Sequence, residues 1–268
     1  MSEPSKERIT YLHGLKRRKR LVLFLRIALL VFFIGIWELF ADTGIIDPFI
    51  MSSPSRIIAC IGRLAKDGSL LRHLGTSCLE TVAGFVLGTI IGACIAIALW
   101  WSKLLCDILE PYLVVLNALP KVALGPVIIV WAGAGTGSII IMTLAISLIV
   151  TVLEVLNAFL STDREKQLLL RTMGAKKRQL FTKVVLPANL KSIVSSLKVN
   201  VGLSWVGVIM GEFLVSQAGL GYLITYGSQV FQMDLVMTSV VLLAVAATVM
   251  YELITLLERF ILKKAKLQ

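Results

Sequence analysis

Two ionisable side chains stand where charge is costly. Lys121 falls midway along an apolar run, in NALPKVALGP, between Pro120 and Pro126. Glu212 falls in another, in VIMGEFLV, after Asn200, Ser204 and Trp205 at helical spacing. A charge inside a bilayer either marks a route for a polar solute or is neutralised by a buried partner. In the first reading Asn117, Pro120, Lys121, Asn200, Ser204, Trp205 and Glu212 wall a polar route between the third and fifth runs. In the second, Lys121 and Glu212 pair with each other or make another buried polar contact. The two prolines break or kink their helix and free backbone carbonyls, which lipid tolerates only beside protein or a watery cavity.

The other ionisable groups in these runs read as structural. Arg26, Glu38, Glu154 and Glu252 lie toward run ends, where long side chains reach headgroups. Glu80 falls in the first turn of the second run, where a helix N-terminus favours a carboxylate. Bond-making chemistry has no recognisable seat. The chain contains no HExxH, GxSxG or GxxxxGK[ST] and no dinucleotide glycine fingerprint, and His13 and His73 are isolated. Cys60, Cys78, Cys94 and Cys106 form no CxxC and read as small buried hydrophobes, so neither a metal site nor a disulfide framework is expected.

The elements that must position these residues follow from composition. Of 268 residues, 57% are hydrophobic and 16% charged, and the mean hydropathy is +0.87. Soluble chains average about 45–50% apolar and about 25% charged residues. The apolar excess gathers into runs of about twenty residues, the length that crosses about 30 Å of hydrocarbon. The reading is an all-α integral membrane protein with six transmembrane helices, near 21–41, 78–101, 108–132, 138–159, 193–215 and 234–257. The first run is too long for a signal-peptide core and lacks a small-residue cleavage site, so it reads as a retained span.

Charge orients these spans. With the N-terminus inside, the tail to residue 20 carries seven Lys and Arg, 100–107 one, 160–191 eight and the C-terminal tail four, twenty in all. The alternate loops at 42–77, 133–137 and 216–233 carry four, none and none. Basic loops stay in the cytoplasm, so both termini are expected there. The net charge of +11 is therefore retention signal, and no nucleic-acid partner is expected.

Within 42–77, SPSRIIACIGRLAK has Ser53 or Ser55 as a cap, Pro54 for the first turn, and Ile57, Ile58, Ile61, Leu64 and Ala65 on one face. That predicts a short helix on the outer membrane surface. Gly84, Gly88, Gly92 and Ala96 repeat every four residues, as do Gly207 and Gly211, which lets helices approach closely inside a bundle or between subunits. The cytoplasmic segment 161–187 opens with Ser161, Thr162 and Asp163 as caps and is interrupted at Gly174. It predicts a helical hairpin with Leu169, Leu170 and Met173 on one arm and Leu180, Phe181 and Val184 on the other, ended by Pro187. Such an apolar ridge suits a groove on a partner.

GAKKRQLFTKVVLP, with Gly174 followed by Val184 and then Leu186–Pro187, resembles the EAA loop of ABC importer permeases. SPSRI, HLGTSCLETVAGFVLGTIIG, LEPYLVVLNALPKVALGPVIIVWAGAG and GLGYLI extend the resemblance to the nitrate, sulfonate and taurine branch. The triplet itself is replaced by Leu168–Leu170, and Lys121 departs from the commoner sulfonate-type pattern. The resemblance implies a type I importer (MetI-like) permease fold in the bacterial cytoplasmic membrane. Its parts would be a basic tail at 1–20, a first span and extracytoplasmic amphipathic segment at 21–72, a permease core at 73–260, and a second tail at 261–268. The coupling loop 161–187 would meet an ATPase through Leu169, Leu170, Met173, Gly174, Ala175, Leu180, Phe181, Leu186 and Pro187.

The resemblance further implies a second permease subunit, in a homodimer, two cytoplasmic ATPase subunits and an extracytoplasmic solute-binding protein. This chain would bind no cofactor, with ATP and Mg held by the ATPase. The expected cargo is a small polar solute such as a sulfonate, taurine or nitrate-like anion. The alternative is a thiamine-pyrimidine or riboflavin-type vitamin precursor. A different class, a secondary transporter or channel working without an ATPase, would show inverted repeats, and the two halves do not match convincingly.

Overall fold

The computed structural model describes residues 6–265. Five of its helices are long and apolar enough to cross a membrane, and a bent pair makes a sixth crossing if counted as one. Helix α1 (Lys6–Asp42) begins within the basic N-terminal segment, and its apolar part packs on almost nothing else in the chain. Residues 1–5 and 266–268 of the two expected tails lie outside the described residues.

Two short helices follow, α2 (Pro48–Met51) and α3 (Pro54–Lys66). Ser53 caps α3, with Pro54 in its first turn. Glu38 at the end of α1 accepts the Ser55 N–H at 3.0 Å, which is how that carboxylate is used. The expected apolar face of α3 is rotated: Ile57 and Cys60 are buried, while Ile58 is 71% exposed. Its position is set by α12, through Arg56 bonded to Asp234 at 2.9 and 3.1 Å and Ser52 to the same carboxylate at 2.8 Å.

Helix α4 (Ser69–Trp101) starts well before the expected span. Glu80 therefore lies in mid-helix and not in a first turn. The third expected span is broken. Helix α5 (Lys103–Ala118) ends before Pro120, a 3-10 turn covers Lys121–Leu124, and α6 (Gly125–Ala132) leaves at 87°. Leu119 takes an extended backbone, as a residue preceding proline does.

Gly133 and Gly135, with φ of 78° and 145°, reverse the chain into α7 (Thr136–Leu160). The hairpin within 161–187 comprises α8 (Arg164–Thr172) and α9 (Lys177–Leu180). Pro187 does not stop it. A π turn at Phe181–Val185 carries the helix directly into α10 (Leu186–Val215), the Leu186 N–H reaching back to the Phe181 carbonyl. The wider turn absorbs the hydrogen bond that proline cannot donate. Helices α11 (Leu220–Gln229) and α12 (Met233–Ala265) complete the chain.

The centre of the bundle is α7, held between α4 and α10. Gly84, Gly88 and Gly92 of α4 face Thr143, Ser147 and Thr151 of α7. Gly207 and Gly211 of α10 face Thr143 and Ile139. Both glycine stripes are thus internal. The three hydroxyls each donate to the carbonyl four residues earlier, at 2.8 to 2.9 Å, so they bring no unmet hydrogen bond to the contact.

A Cβ at position 207 would lie 2.5 Å from the Thr143 Cα, whereas one at 202 meets nothing within 4 Å. We expect Gly207→Ala to destabilise the fold by roughly 1–3 kcal/mol. Gly202→Ala should leave it unchanged or slightly more stable, since alanine is the better helix former by about 1 kcal/mol. Thermal unfolding of the two variants in detergent checks the contrast.

Candidate functional site

The hairpin of α8 and α9 has two faces with different surroundings. Asp163 caps α8, accepting the Glu165 N–H at 2.9 Å. Gly174 turns the chain with φ of 80°, a conformation costly for any residue with a Cβ. Gln179 accepts the Lys176 N–H at 2.8 Å and starts α9. On the outer face Leu168, Leu169 and Met173 form a bare apolar ridge, Met173 being 77% exposed. Leu170 is turned inward and joins the bundle core. Gly174 is exposed and Ala175 half-buried beside the ridge.

The inner face is bolted down. Leu180, Phe181 and Val185 are buried among Leu99, Val155, Leu156 and Phe159, so Leu180 and Phe181 anchor the hairpin and do not belong to its outer ridge. Phe181 meets the Phe159 ring edge-on at 5.3 Å and Trp100 at 5.0 Å. Lys177 donates to the Trp101 carbonyl at 2.5 Å. Asn189 at the start of α10 donates to Thr162 at 2.6 Å and to the Val185 carbonyl at 2.8 Å, tying it to the end of α7. Leu186 and Pro187 lie exposed at the root of α10. The hairpin is therefore joined to both α7 and α10.

The seven residues expected to wall a polar route separate into two groups. Asn117, Pro120 and Lys121 stand at the break between α5 and α6. Asn117 and Pro120 are exposed, and Lys121 donates to the Asn117 carbonyl and Oδ1 at 3.2 and 3.1 Å. Asn200, Ser204, Trp205 and Glu212 are all buried within the bundle. Asn200 donates to Thr89 of α4 at 2.7 Å, and Trp205 belongs to the core formed with α4, α11 and α12. Lys121 and Glu212 form no ion pair.

Glu212, 1% exposed, has a different partner set. Its two oxygens accept Ser77 Oγ at 2.6 Å and the Gly221 N–H at 2.5 Å. Ser77 in turn accepts the Leu220 N–H at 2.7 Å, and His73 Nδ1 accepts the Gly219 N–H at 3.0 Å. The first backbone donors of α11 are thus capped by side chains of α4 and α10, in place of the local cap that its sequence lacks. Glu80 is buried near Glu212 and Thr136, and one of its carboxyl oxygens has no hydrogen-bond partner. A Cβ at Gly221 would lie 2.7 Å from the Glu212 Cβ, which explains the glycine there. Sequence reasoning missed Ser77, His73 and the burial of Glu80 beside this cap, since the only signal was GLG seven residues after a glutamate.

Among the described residues no three His, Cys, Asp or Glu side chains gather as metal ligands. All four thiols are free, Cys60 and Cys106 buried and Cys94 exposed.

Glu212→Ala would leave the Gly221 N–H and the Ser77 hydroxyl without their acceptor, at about 1–3 kcal/mol for each buried orphan. We expect a lower unfolding temperature for the purified protein. Unchanged stability with lost uptake would instead return Glu212 to the solute route.

Comparison with known proteins gives this geometry a family. A protein of Bacillus subtilis named for aliphatic sulfonates transport, as a permease, is 28% identical over 230 residues, covering 86% of this chain and 83% of its own. The formylaminopyrimidine transport permease of Halalkalibacterium halodurans is 29% identical over 187 residues, covering 70% and 74%. A chain of the MetNI methionine ABC transporter superposes with a TM-score of 0.65 at 18% identity, over 75% of this chain and 98% of that one, which shows the same fold. Residues 84–266 match the family described as the binding-protein-dependent transport system inner membrane component, and the chain belongs to that family.

Proposed function

We propose that this chain is one half of a homodimeric ABC importer permease that passes a small organic anion, of the sulfonate kind, delivered by an extracytoplasmic binding protein. In this family ATP hydrolysis belongs to the partner ATPase. The bent pair α5–α6 counts as one of six crossings, and both termini face the cytoplasm, as the basic loops favour. Two cytoplasmic ATPase subunits grip the hairpins, and their closure on ATP swings α7 and α10. One observation carries the reading: a bare ridge of Leu168, Leu169 and Met173 on a hairpin whose other face is locked into the membrane bundle. A ridge so exposed on a segment so firmly held suits a force-bearing contact with a soluble partner.

The solute route lies on the exposed side of α10. Ser192, Ser195, Val199, Val206 and Leu214 follow one another at helical spacing and are all uncovered. Leu214 leads to Gly125 of the bent segment, four residues from Lys121. The route therefore joins Lys121 and Asn117 at the outer end to α10 serines at the inner end. Lys121, with no carboxylate in reach among the described residues, supports an anionic cargo. A vitamin precursor is the second reading, supported by the relative named for formylaminopyrimidine transport.

Gly174→Val is expected to abolish uptake while the protein still reaches the membrane, because valine strains the φ of 80° on which the hairpin depends. Wild-type uptake in that variant removes the coupling role. Lys121→Met should impair uptake more than assembly. Equal uptake per assembled complex assigns Lys121 to structure. Identifying the ligand of the cognate binding protein decides between the anion and the vitamin precursor.

A further inference from the structure

Between helix α8 and the ends of α4 and α7 a pocket of about 910 Å³ opens on the protein surface. Part of its lining is basic. Lys103 is the first residue of α5, Arg164 the first of α8, and Arg171 stands near the end of α8. Among the described residues none of the three takes part in an ion pair, and all three are exposed. Glu165 is the one carboxylate lining the pocket, so three cations against one anion leave an excess of two positive charges. The N-termini of α5 and α8 both open here, and the positive ends of their dipoles add to that field. Most of the remaining lining is apolar, with Trp100, Phe159 and Leu160.

Depth narrows what can sit there. Trp100 lies at the end of α4 and Leu160 at the end of α7, two helices long and apolar enough to cross a membrane. The pocket is therefore level with the ends of two spans, at headgroup depth, where tryptophan is enriched. Unpaired guanidinium and ammonium groups beside apolar surface at that depth match one chemistry, a phosphate on an apolar stem. Arginine forks fit phosphate oxygens, and basic residues at a span end attract anionic lipid. A choline headgroup would bring its own cation into this positive field and be disfavoured. We infer that the pocket is a headgroup site for an anionic phospholipid of the adjoining leaflet, with Lys103, Arg164 and Arg171 holding its phosphate and Trp100 and Leu160 its glycerol end. The lipid bridges α8 to the corner between α4 and α5. That corner already meets the hairpin through Lys177, whose ammonium lies over the Trp100 ring at 5.6 Å. Seating of the hairpin on the membrane then depends on lipid charge. The inference needs these helices to cross a membrane and does not rest on the importer reading.

The test places the purified chain, with any ATPase it carries, in nanodiscs of equal parts phosphatidylglycerol and phosphatidylcholine with matched acyl chains. Native mass spectrometry then counts the lipids that stay bound. We expect one phosphatidylglycerol retained per chain, enriched about twentyfold over phosphatidylcholine, since two net charges contribute about fivefold each. Lys103→Gln combined with Arg171→Gln should bring the ratio near one, whereas Lys103→Arg combined with Arg171→Lys should keep the enrichment. Arg17→Gln combined with Arg18→Gln removes as much charge from the basic N-terminal segment and should also keep it. No enrichment in the wild type, or equal loss in both neutralised variants, overturns the site. Displacement of the lipid by inorganic phosphate at equal concentration assigns the pocket to a free anion and overturns it. Enrichment that vanishes only when an ATPase is bound assigns the pocket to that protein and overturns it as well. A chain that carries no ATPase sinks the importer reading, and its lipid count still decides the headgroup site.

Discussion

The close approach of α7 to its two neighbours is the contact on which the rest depends. In a bilayer, apolar side chains gain nothing by leaving lipid for each other, so helices associate through intimate van der Waals contact and matched polar groups. Here α4 presents a glycine every fourth residue to hydroxyl-bearing residues of α7 at the same interval, and α10 presents two more glycines to the opposite side. Each hydroxyl is satisfied within its own helix. The three helices can therefore pack backbone against side chain with these three hydroxyls already satisfied. Everything with a functional reading hangs from this trio: the hairpin between α7 and α10, the bent segment over Gly125, and α11 on the far side.

The same logic explains why the most conspicuous buried acid is a cap. A helix beginning inside a membrane bundle has backbone donors with no water to meet them. Helix α11 solves this with Glu212, Ser77 and His73, drawn from two neighbouring helices. The tight fit of Gly219 and Gly221 around the carboxyl lets it serve several donors at once. The cost of burying the Glu212 carboxyl is met by hydrogen bonds within the protein.

The hairpin has a bare outer ridge and a buried inner face made of Leu180, Phe181 and Val185. The Asn189–Thr162 bond joins the two helices at its root, and the π turn lets α10 continue through Pro187 without a hinge. The ridge therefore sits on a segment fixed to both α7 and α10.

Much of this was legible in the residue order. Five of the six expected apolar spans, the glycine reversal after Ala132, the Ser53 cap, the break around Pro120 and the turn at Gly174 are local matters. Backbone propensity and hydrophobic length decide them, and they come out as read. Element boundaries were less legible: the start of α4 and the passage through Pro187 depend on neighbours that stabilise extra turns. Beyond the glycine stripes of α4 and α10, the face of each helix that meets its neighbours was not legible. Helical period puts Asn200, Ser204, Trp205 and Glu212 on one side of α10, and equally puts Ser192, Ser195 and Val199 on another. Periodicity alone cannot say which side turns inward, because both carry polar groups. That choice was made by α4, α11 and α12 pressing on the first set, and only the tertiary structure contains those contacts.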